Sequence, residues 1–394
     1  MYNVSPLLYK RFSNDRFINK ISITGEQDKM LLEARKKVRQ AIRMAFREAR
    51  EYLKNENIRN DDIEWVSKIK PKFFTQGSYA YKTLNSPCYA TQEIDLDDGV
   101  YLPMSILNSE PSANIEWFFT IVDGALKKLA LHEGWKFKEI PTCARVIIPG
   151  KQAHIDVPLY AIPDKRHTEL VEALNFAKMD GRSLSDLYYS DAITQTFLKL
   201  NEDEVNLATR NEGWKKSDPM KISDWLKMEK SIRGKTSGER LIRACRFLKA
   251  WRDFIWEDGG GPSSLALMIC AIKAYPKDDH NRDDYALLQV VKMLPGFLGG
   301  TIYNPAAKDE VVYPRGNINQ EEIILKAKQL ATSLESSLSG SLNKYALLDE
   351  LKSKFGQRIP SIINWIEEIT GAAIVRSTAA VKVKPETIPN TKSG

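Results

Sequence analysis

The stretch "TQGSYAYKTLNSPCYATQEIDLDDGVYLP", Thr75 to Pro103, sets Gly77-Ser78 near one end and Asp95, Asp97 and Asp98 near the other. The alternation from Ile94 to Leu102 predicts a strand. Residues two apart on a strand share a face, so Asp95 and Asp97 aim at one point while Ile94 and Leu96 turn to the core. Asp98 points the other way and is expected as a strand-end or turn residue before Gly99, not as a ligand. Two carboxylates at one point force one of them to take up a proton unless a cation joins them. On these residues alone, a solvated acidic turn stays an open alternative.

A third acid stands in "AHIDVPLYAI", where Asp156 interrupts an apolar, strand-like run. Such an acid is costly unless something pairs it. Three carboxylates on neighbouring strands are the ligand set of a two-metal phosphoryl- or nucleotidyl-transfer site. Hard oxygen donors, with His132, His154, His167 and His280 dispersed along the chain, point to Mg²⁺, with Mn²⁺ as a substitute, rather than to zinc. Gly77 lets backbone approach a phosphate, and Ser78 opening a helix adds a hydroxyl to free N–H groups there.

The rest of the chain supplies the frame. At 394 residues it exceeds the usual size of one core, so two lobes are expected. With 43% hydrophobic and 28% charged residues it has the composition of a globular protein, and a net charge of +7 is too small to argue for a nucleic-acid binder. Cys88, Cys143, Cys245 and Cys270 show no CxxC pairing, and the longest apolar run, "LALMICAI", cannot span a bilayer. A cytoplasmic protein without a membrane segment is expected.

A capping box at Thr24 and Gln27 opens a long helix, whose outer stripe of Arg35, Arg39, Arg43 and Arg47 is either a solvated face or a surface for an anion. A helix over 112–133 and two short β runs joined at Pro149-Gly150 follow. Beyond about residue 210 strand signals nearly vanish, and helices are predicted at "SGERLIRACRFLKAWRDFIWED", from the Ser cap at "SSLALMICAIKAY", and over 284–294, 319–336, 342–354 and 360–369. The expected organisation is a core at 1–212 with the long N-terminal helix, a mainly helical lobe at 213–378 closing a cleft, and a flexible tail at 379–394.

Gly-Ser, then Asp-x-Asp seventeen residues after the serine, then a third acidic strand, in that order, resembles the signature of polymerase-β-type nucleotidyltransferases. "TQGSYAYKTLN", "QEIDLDDGVYLPM", "TCARVII", "HIDVPLYAIP", Ser217-Asp218-Pro219 and "CRFLKAWRDFIWEDGGGPSSLALM" together resemble the bacterial cyclic GMP-AMP synthase branch of the cGAS/DncV-like nucleotidyltransferase family. The resemblance implies an α+β fold: a polymerase-β-like core of twisted mixed sheet and helices, a helical C-terminal lobe, and the active site between them. It implies that Asp95, Asp97 and Asp156 bind two Mg²⁺ ions, the third also helping to activate the attacking ribose hydroxyl. Gln76, Gly77 and Ser78 would contact the donor nucleotide and its phosphates, Lys249 and Ser264 the triphosphate tail, and Arg145 the acceptor. Ser217 and Asp218 would read a guanine edge, although for Asp218 a turn or helix cap before Pro219 is equally open. Tyr81 either stacks on a base or packs in the core.

By the same resemblance, ATP and GTP would be joined in two 3′-hydroxyl attacks into 3′,3′-linked cyclic GMP-AMP. That product would be the second messenger of anti-phage (CBASS) defence, activating a downstream effector. A ubiquitin-transfer-like (E1/E2-type) enzyme would conjugate the terminal Gly394 of "NTKSG". Relatives inhibited by folate-like molecules use basic residues of the long N-terminal helix and an Arg-x-Trp just before Gln-Gly-Ser, on the face opposite the active site. Here Arg35, Arg39 and Arg43 are present but the later pair reads Lys72 and Phe74, which do not replace an arginine fork and a tryptophan in kind. Two alternatives are a template-independent RNA nucleotidyltransferase, which would need a basic channel, and a catalytically idle nucleotide sensor, which would have no need of three costly acids.

Overall fold

Thr24 and Gln27 form the reciprocal cap that their spacing predicts. The Thr24 N–H donates to Gln27 Oε1 at 2.8 Å and the Gln27 N–H donates to Thr24 Oγ1 at 3.1 Å. Helix α1, Gly25–Asn55, starts there. The protein is described by a computed structural model covering residues 1–55, 70–107, 111–169, 205–217, 219–316 and 318–369.

After α1 come strand β1 (Lys72–Gln76), the single turn α2 (Gly77–Ala80), strand β2 (Ile94–Pro103) and helix α3 (Pro111–Glu133). Strands β3 (Lys136–Ile140), β4 (Cys143–Ile148), β5 (Ala153–Val157), β6 (Leu159–Ile162), β7 (Asn206–Thr209) and β8 (Gly213–Lys216) complete one mixed eight-stranded sheet. β2 is its axis: antiparallel to β1 on one side, parallel to β5 and then β6 on the other. Ile94, Leu96, Val100 and Leu102 of β2 point to one face, where Leu31, Val38, Ile42 and Phe46 of α1 and Phe118, Val122 and Leu126 of α3 bury them. Each fully buried side chain of this size contributes roughly 1.5–3 kcal/mol.

Asp98 lies on that buried face too, and here the expectation of a strand-end or turn residue is corrected. It sits in mid-strand and is 0% exposed. Arg39 of α1 grips its carboxylate through Nε at 2.6 Å and through Nη2, and Thr75 Oγ1 donates to it at 2.9 Å. Arg35 Nη1 in turn donates to Thr75 Oγ1 at 2.7 Å. The arginine stripe is therefore neither wholly solvated nor wholly an anion surface. Arg35 and Arg39 are buried structural cations, while Arg43 and Arg47 stay exposed and line, with Lys36, Lys70 and Lys72, a cavity of about 510 Å³. Phe74 does not reach that cavity, because it is buried edge-on against Tyr101 at 5.2 Å between centroids.

The helical lobe comprises α4 (Pro219–Ile232), α5 (Gly234–Ile255), α6 (Ser264–Ala274), α7 (Asp283–Leu298), α8 (Gln320–Ser339) and α9 (Lys344–Phe355), around fully buried Trp251. Val4, Leu7, Leu8, Phe17, Ile18 and Ile21 join this core, so the first residues, expected with the sheet, pack with the helices. Val4 N–H and Ser5 Oγ both donate to the buried Asp284 carboxylate. Two further expectations are corrected. Residues 302–313 form an antiparallel hairpin whose register shifts at two points, which breaks the alternation that marks a strand. The helix expected over 360–369 is a 3-10 turn, Ile363–Trp365, followed by Glu367–Glu368, which pairs with Tyr2–Asn3, a partner hundreds of residues away. The tail beyond 369 lies outside the described residues.

Arg39→Ala leaves the Asp98 carboxylate buried with one hydroxyl partner, and should cost about 3–5 kcal/mol in chemical denaturation. Arg39→Met combined with Asp98→Leu should recover most of that loss, and a single-variant cost below about 1 kcal/mol would show that the pair does not hold α1 to the sheet.

Candidate active site

The register of three strands gathers the acids. In the parallel pair β2–β5, Asp95 stands opposite His154 and Asp97 opposite Asp156. In the antiparallel pair β4–β5, Arg145 stands opposite Asp156. Alternation puts all of these side chains on the sheet face away from α1 and α3. Asp156 is buried and accepts from Arg145 Nε at 2.6 Å and Nη2 at 2.7 Å, a bidentate pair that holds the guanidinium above its ordinary pKa. Burial, then the charges of Asp95 and Asp156, holds Asp97 well above the usual carboxylate range, with His154 and Arg145 pulling it back.

His154 corrects the view that the histidines are too dispersed to matter. His132 and His280 are exposed, but His154 is buried among the acids, its Nδ1 2.7 Å from Glu93 Oε2 and its Nε2 3.1 Å from Asp95 Oδ1. Burial lowers its pKa, yet the adjacent Asp95 carboxylate outweighs this and raises it. One donor atom each from Asp95, His154 and Asp156 lie within 4.8 Å of one another, and Asp95 Oδ1 is buried with no hydrogen bond. Crowded carboxylates with an orphaned oxygen fit a divalent cation.

The phosphate cradle meets this cluster directly. β1 ends with Gln76 opposite Asp97, and the chain turns at Gly77 with φ of 65°. A Cβ there would stand 1.9 Å from Asp97 Oδ2, so only glycine fits. Gly77, Ser78 and Tyr81 line a cleft of about 530 Å³, with Asp95 and Asp97 on the sheet side and Lys249, Arg252 and Ser264 on the helical side. Tyr81 also donates its hydroxyl to Pro219 O at 3.1 Å. Lys249 is 7% exposed, its Nζ donates to Thr83 O at 2.8 Å, and burial pushes its pKa down to about 8. Ser264 opens α6, whose cap is Ser263 accepting from the Ala266 N–H, so the unpaired N–H end of the helix faces the cleft.

The segment between α2 and β2 latches the two walls together. Asn85 and Arg246 exchange two hydrogen bonds of 2.9 Å, Tyr89 OH donates to Phe254 O, and Gln92 Nε2 donates to Asp253 O at 2.7 Å.

Other residues singled out from the sequence stand elsewhere. Gln76 points away from the cleft, its amide donating to Tyr160 OH at 2.9 Å and accepting from Tyr101 OH at 3.1 Å. Ser217 follows β8, its N–H on Val205 O, and does not line the cleft. Asp218 and Gly394 lie outside the described residues. Two site residues escaped the reading of the sequence. His154 had a signal, its two-residue spacing from Asp156. Arg252 stands one helical turn after Lys249, and its Nη1 donates to Ser264 Oγ at 3.0 Å.

Among the described residues, no helix is long and apolar enough to cross a membrane. Residues 71–160 match the family model "Cyclic GMP-AMP synthase DncV-like, nucleotidyltransferase domain", and residues 238–366 match "Cyclic GMP-AMP synthase, C-terminal domain". The chain is 33% identical to a cyclic GMP-AMP synthase of Escherichia coli (strain TW11681), over 83% of this chain and 73% of that protein. It is 31% identical to the cyclic GMP-AMP synthase of Vibrio cholerae, over 96% of each. The V. cholerae DncV structure in complex with the linear intermediate 5′-pppA(3′,5′)pG superposes with a TM-score of 0.78 at 28% identity, covering 94% of this chain and 99% of that one. The structure of DncV with GTP and 5MTHFGLU2 gives a TM-score of 0.79 at 29% identity, covering 94% and 100%. With both lobes matched and the acids, glycine turn and cleft in place, the chain is a nucleotidyltransferase and belongs to the DncV-like cyclic GMP-AMP synthase family of cyclic dinucleotide synthases.

Proposed function

We propose that this chain makes 3′,3′-linked cyclic GMP-AMP from ATP and GTP in the cleft between its lobes. The observation that carries the reading is the convergence of Asp95, Asp97 and Asp156 beside the Gly77 turn, across the cleft from Lys249 and Ser264. In each of two steps a ribose 3′-hydroxyl loses its proton, its oxygen bonds to the α-phosphorus of the other nucleotide, and pyrophosphate leaves. The first step would give pppA(3′,5′)pG, the species in the similar V. cholerae structure. The second closes the ring, so one product accompanies two pyrophosphates.

Asp95, Asp97 and Asp156 would hold divalent cations, Mg²⁺ or Mn²⁺, which supply charge neutralisation at the reacting phosphate and acidify the attacking hydroxyl. Gly77 brings backbone beside Asp97, and Ser78 offers its hydroxyl to the phosphates. Lys249, Ser264 and the α6 N-terminus hold the triphosphate tail as anion partners. Asp156, fixed by Arg145, would orient the acceptor hydroxyl, and by the family likeness Arg145 would also contact the acceptor nucleotide. Tyr81 supplies a ring at the cleft wall for a base, while a guanine-reading role for Ser217 and Asp218 rests on the family likeness alone, since Ser217 does not line the cleft. Gln76 acts through its backbone and through the tyrosines it binds. The division into a catalytic core, a closing helical lobe and a tail carrying Gly394 follows the same reading. So do a nucleotide-activated effector in anti-phage defence and a ubiquitin-transfer-like partner, on the strength of the family likeness.

Incubation with Mg²⁺ and all four labelled triphosphates should give a phosphatase-resistant small product with the mass of cyclic GMP-AMP. Label in a polymer, or no turnover, would overturn the assignment. Asp95→Asn with Asp97→Asn should lower product formation at least about 1000-fold without unfolding the protein. Gly77→Ala, by displacing Asp97, should cost on the order of 100-fold. Binding of a non-hydrolysable ATP analogue should weaken about tenfold from pH 7 to pH 9, because Lys249 loses its charge as pH rises through about 8. Lys249→Arg should flatten that profile, and a wild-type profile that is already flat would remove Lys249 from the tail site.

A further inference from the structure

We propose that Arg252 is a positioning residue for the triphosphate: it holds the Ser264 hydroxyl in its donating orientation and is not itself a phosphate-binding cation. The proposal rests on the reading of Ser264 as a partner of the triphosphate tail. Arg252 lines the cleft one helical turn after Lys249, where a guanidinium would by itself suit phosphate. Its donors are committed elsewhere. Nε at 2.8 Å and Nη2 at 2.6 Å both donate to Asp253 Oδ1, which neutralises the charge in place. Nη1 donates to Ser264 Oγ at 3.0 Å and lies 3.4 Å from Pro262 O.

Among the described residues, Ser264 Oγ has no other hydrogen-bond partner. Its oxygen accepts from a cation, so its proton is left to donate, and a hydroxyl polarised in this way is the stronger donor. Ser264 lines the cleft beside Lys249 and the N-terminal end of α6, so the acceptor that fits is an anionic oxygen. The loop before Ser264 needs this tether. Gly259 and Gly260 turn at φ of 87° and 94° and supply no stiffness of their own. At Gly261 a Cβ would stand 2.8 Å from the Trp256 ring and 3.0 Å from Arg252 Cγ, so the backbone runs in a slot between the indole and the arginine stem. Arginine suits the position because its rigid fork reaches Asp253, Pro262 and Ser264 together, which the single ammonium of lysine does not.

Titration calorimetry of the full-length protein with a non-hydrolysable ATP analogue tests this in the wild type, Arg252→Lys, Arg252→Gln, Ser264→Ala and the two double variants that combine an Arg252 change with Ser264→Ala. Each single variant should bind about tenfold more weakly, the scale of one hydrogen bond to a charged group. Each double variant should bind within about twofold of Ser264→Ala, because Arg252 acts through that hydroxyl. Circular dichroism identifies which Arg252 variant keeps its fold, and either one suffices. Losses that multiply to about a hundredfold in a double variant, or wild-type affinity in a folded Arg252 variant, overturn the positioning role while leaving the tail site in place. Wild-type affinity in Ser264→Ala overturns the tail assignment of Ser264 and the positioning role with it.

Discussion

Like charges held at contact distance have to be compensated, and in this protein that requirement organises the sheet. Asp95, Asp97 and Asp156 project from one face of two parallel strands, with Asp97 held well above the ordinary carboxylate range. Arg145 compensates Asp156 through two short bonds. A fourth aspartate one residue on, Asp98, would add to the crowding, but alternation sends it to the other face, where Arg39 of α1 receives it. One strand thus carries the site on one side and is fixed to the long helix by a buried ion pair on the other. The pair offers rigidity of β2 more than net stability, since replacing such pairs with apolar residues is often neutral.

The second wall of the cleft is built from helix ends and a buried lysine. Lys249, on the largely buried helix α5, has its pKa pushed down to about 8 by burial and stays mostly protonated at physiological pH, which makes it a costly cation for the protein to hold. The hydrogen bonds from residues 85–92 to α5 keep this wall at a fixed distance from the aspartates. Gly77 links the two halves, because its backbone approaches Asp97 where any side chain would collide.

Much of this was legible in the residues. The capping box at Thr24, the strand beginning at Ile94 and the helix over 112–133 appear where local chemistry predicts them, because each is specified by neighbours in sequence. That Asp95, Asp97 and Asp156 come together followed from alternation plus the assumption that their strands are neighbours; the register that sets Asp97 opposite Asp156 is seen only in the fold. What could not be read depends on distant partners. The burial of Arg39 and Asp98 is set by helix-on-sheet packing across 59 positions of sequence. The inward turn of Gln76 is set by Tyr101 and Tyr160, and the strand at Glu367–Glu368 exists because Tyr2–Asn3 pairs with it. His154 gives little signal by its spacing from the other histidines, and the informative spacing is the two residues to Asp156, which put both side chains on one strand face.

The most direct measurement is a crystal structure with a non-hydrolysable ATP analogue and Mn²⁺, read by anomalous scattering at the manganese edge. The expected result is manganese density at the carboxylates of Asp95, Asp97 and Asp156, with the triphosphate crossing Gly77-Ser78 and its tail at Lys249 and Ser264. Nucleotide bound outside this cleft, or manganese absent from those carboxylates while nucleotide is present, would contradict the assignment of this sheet face as the catalytic centre.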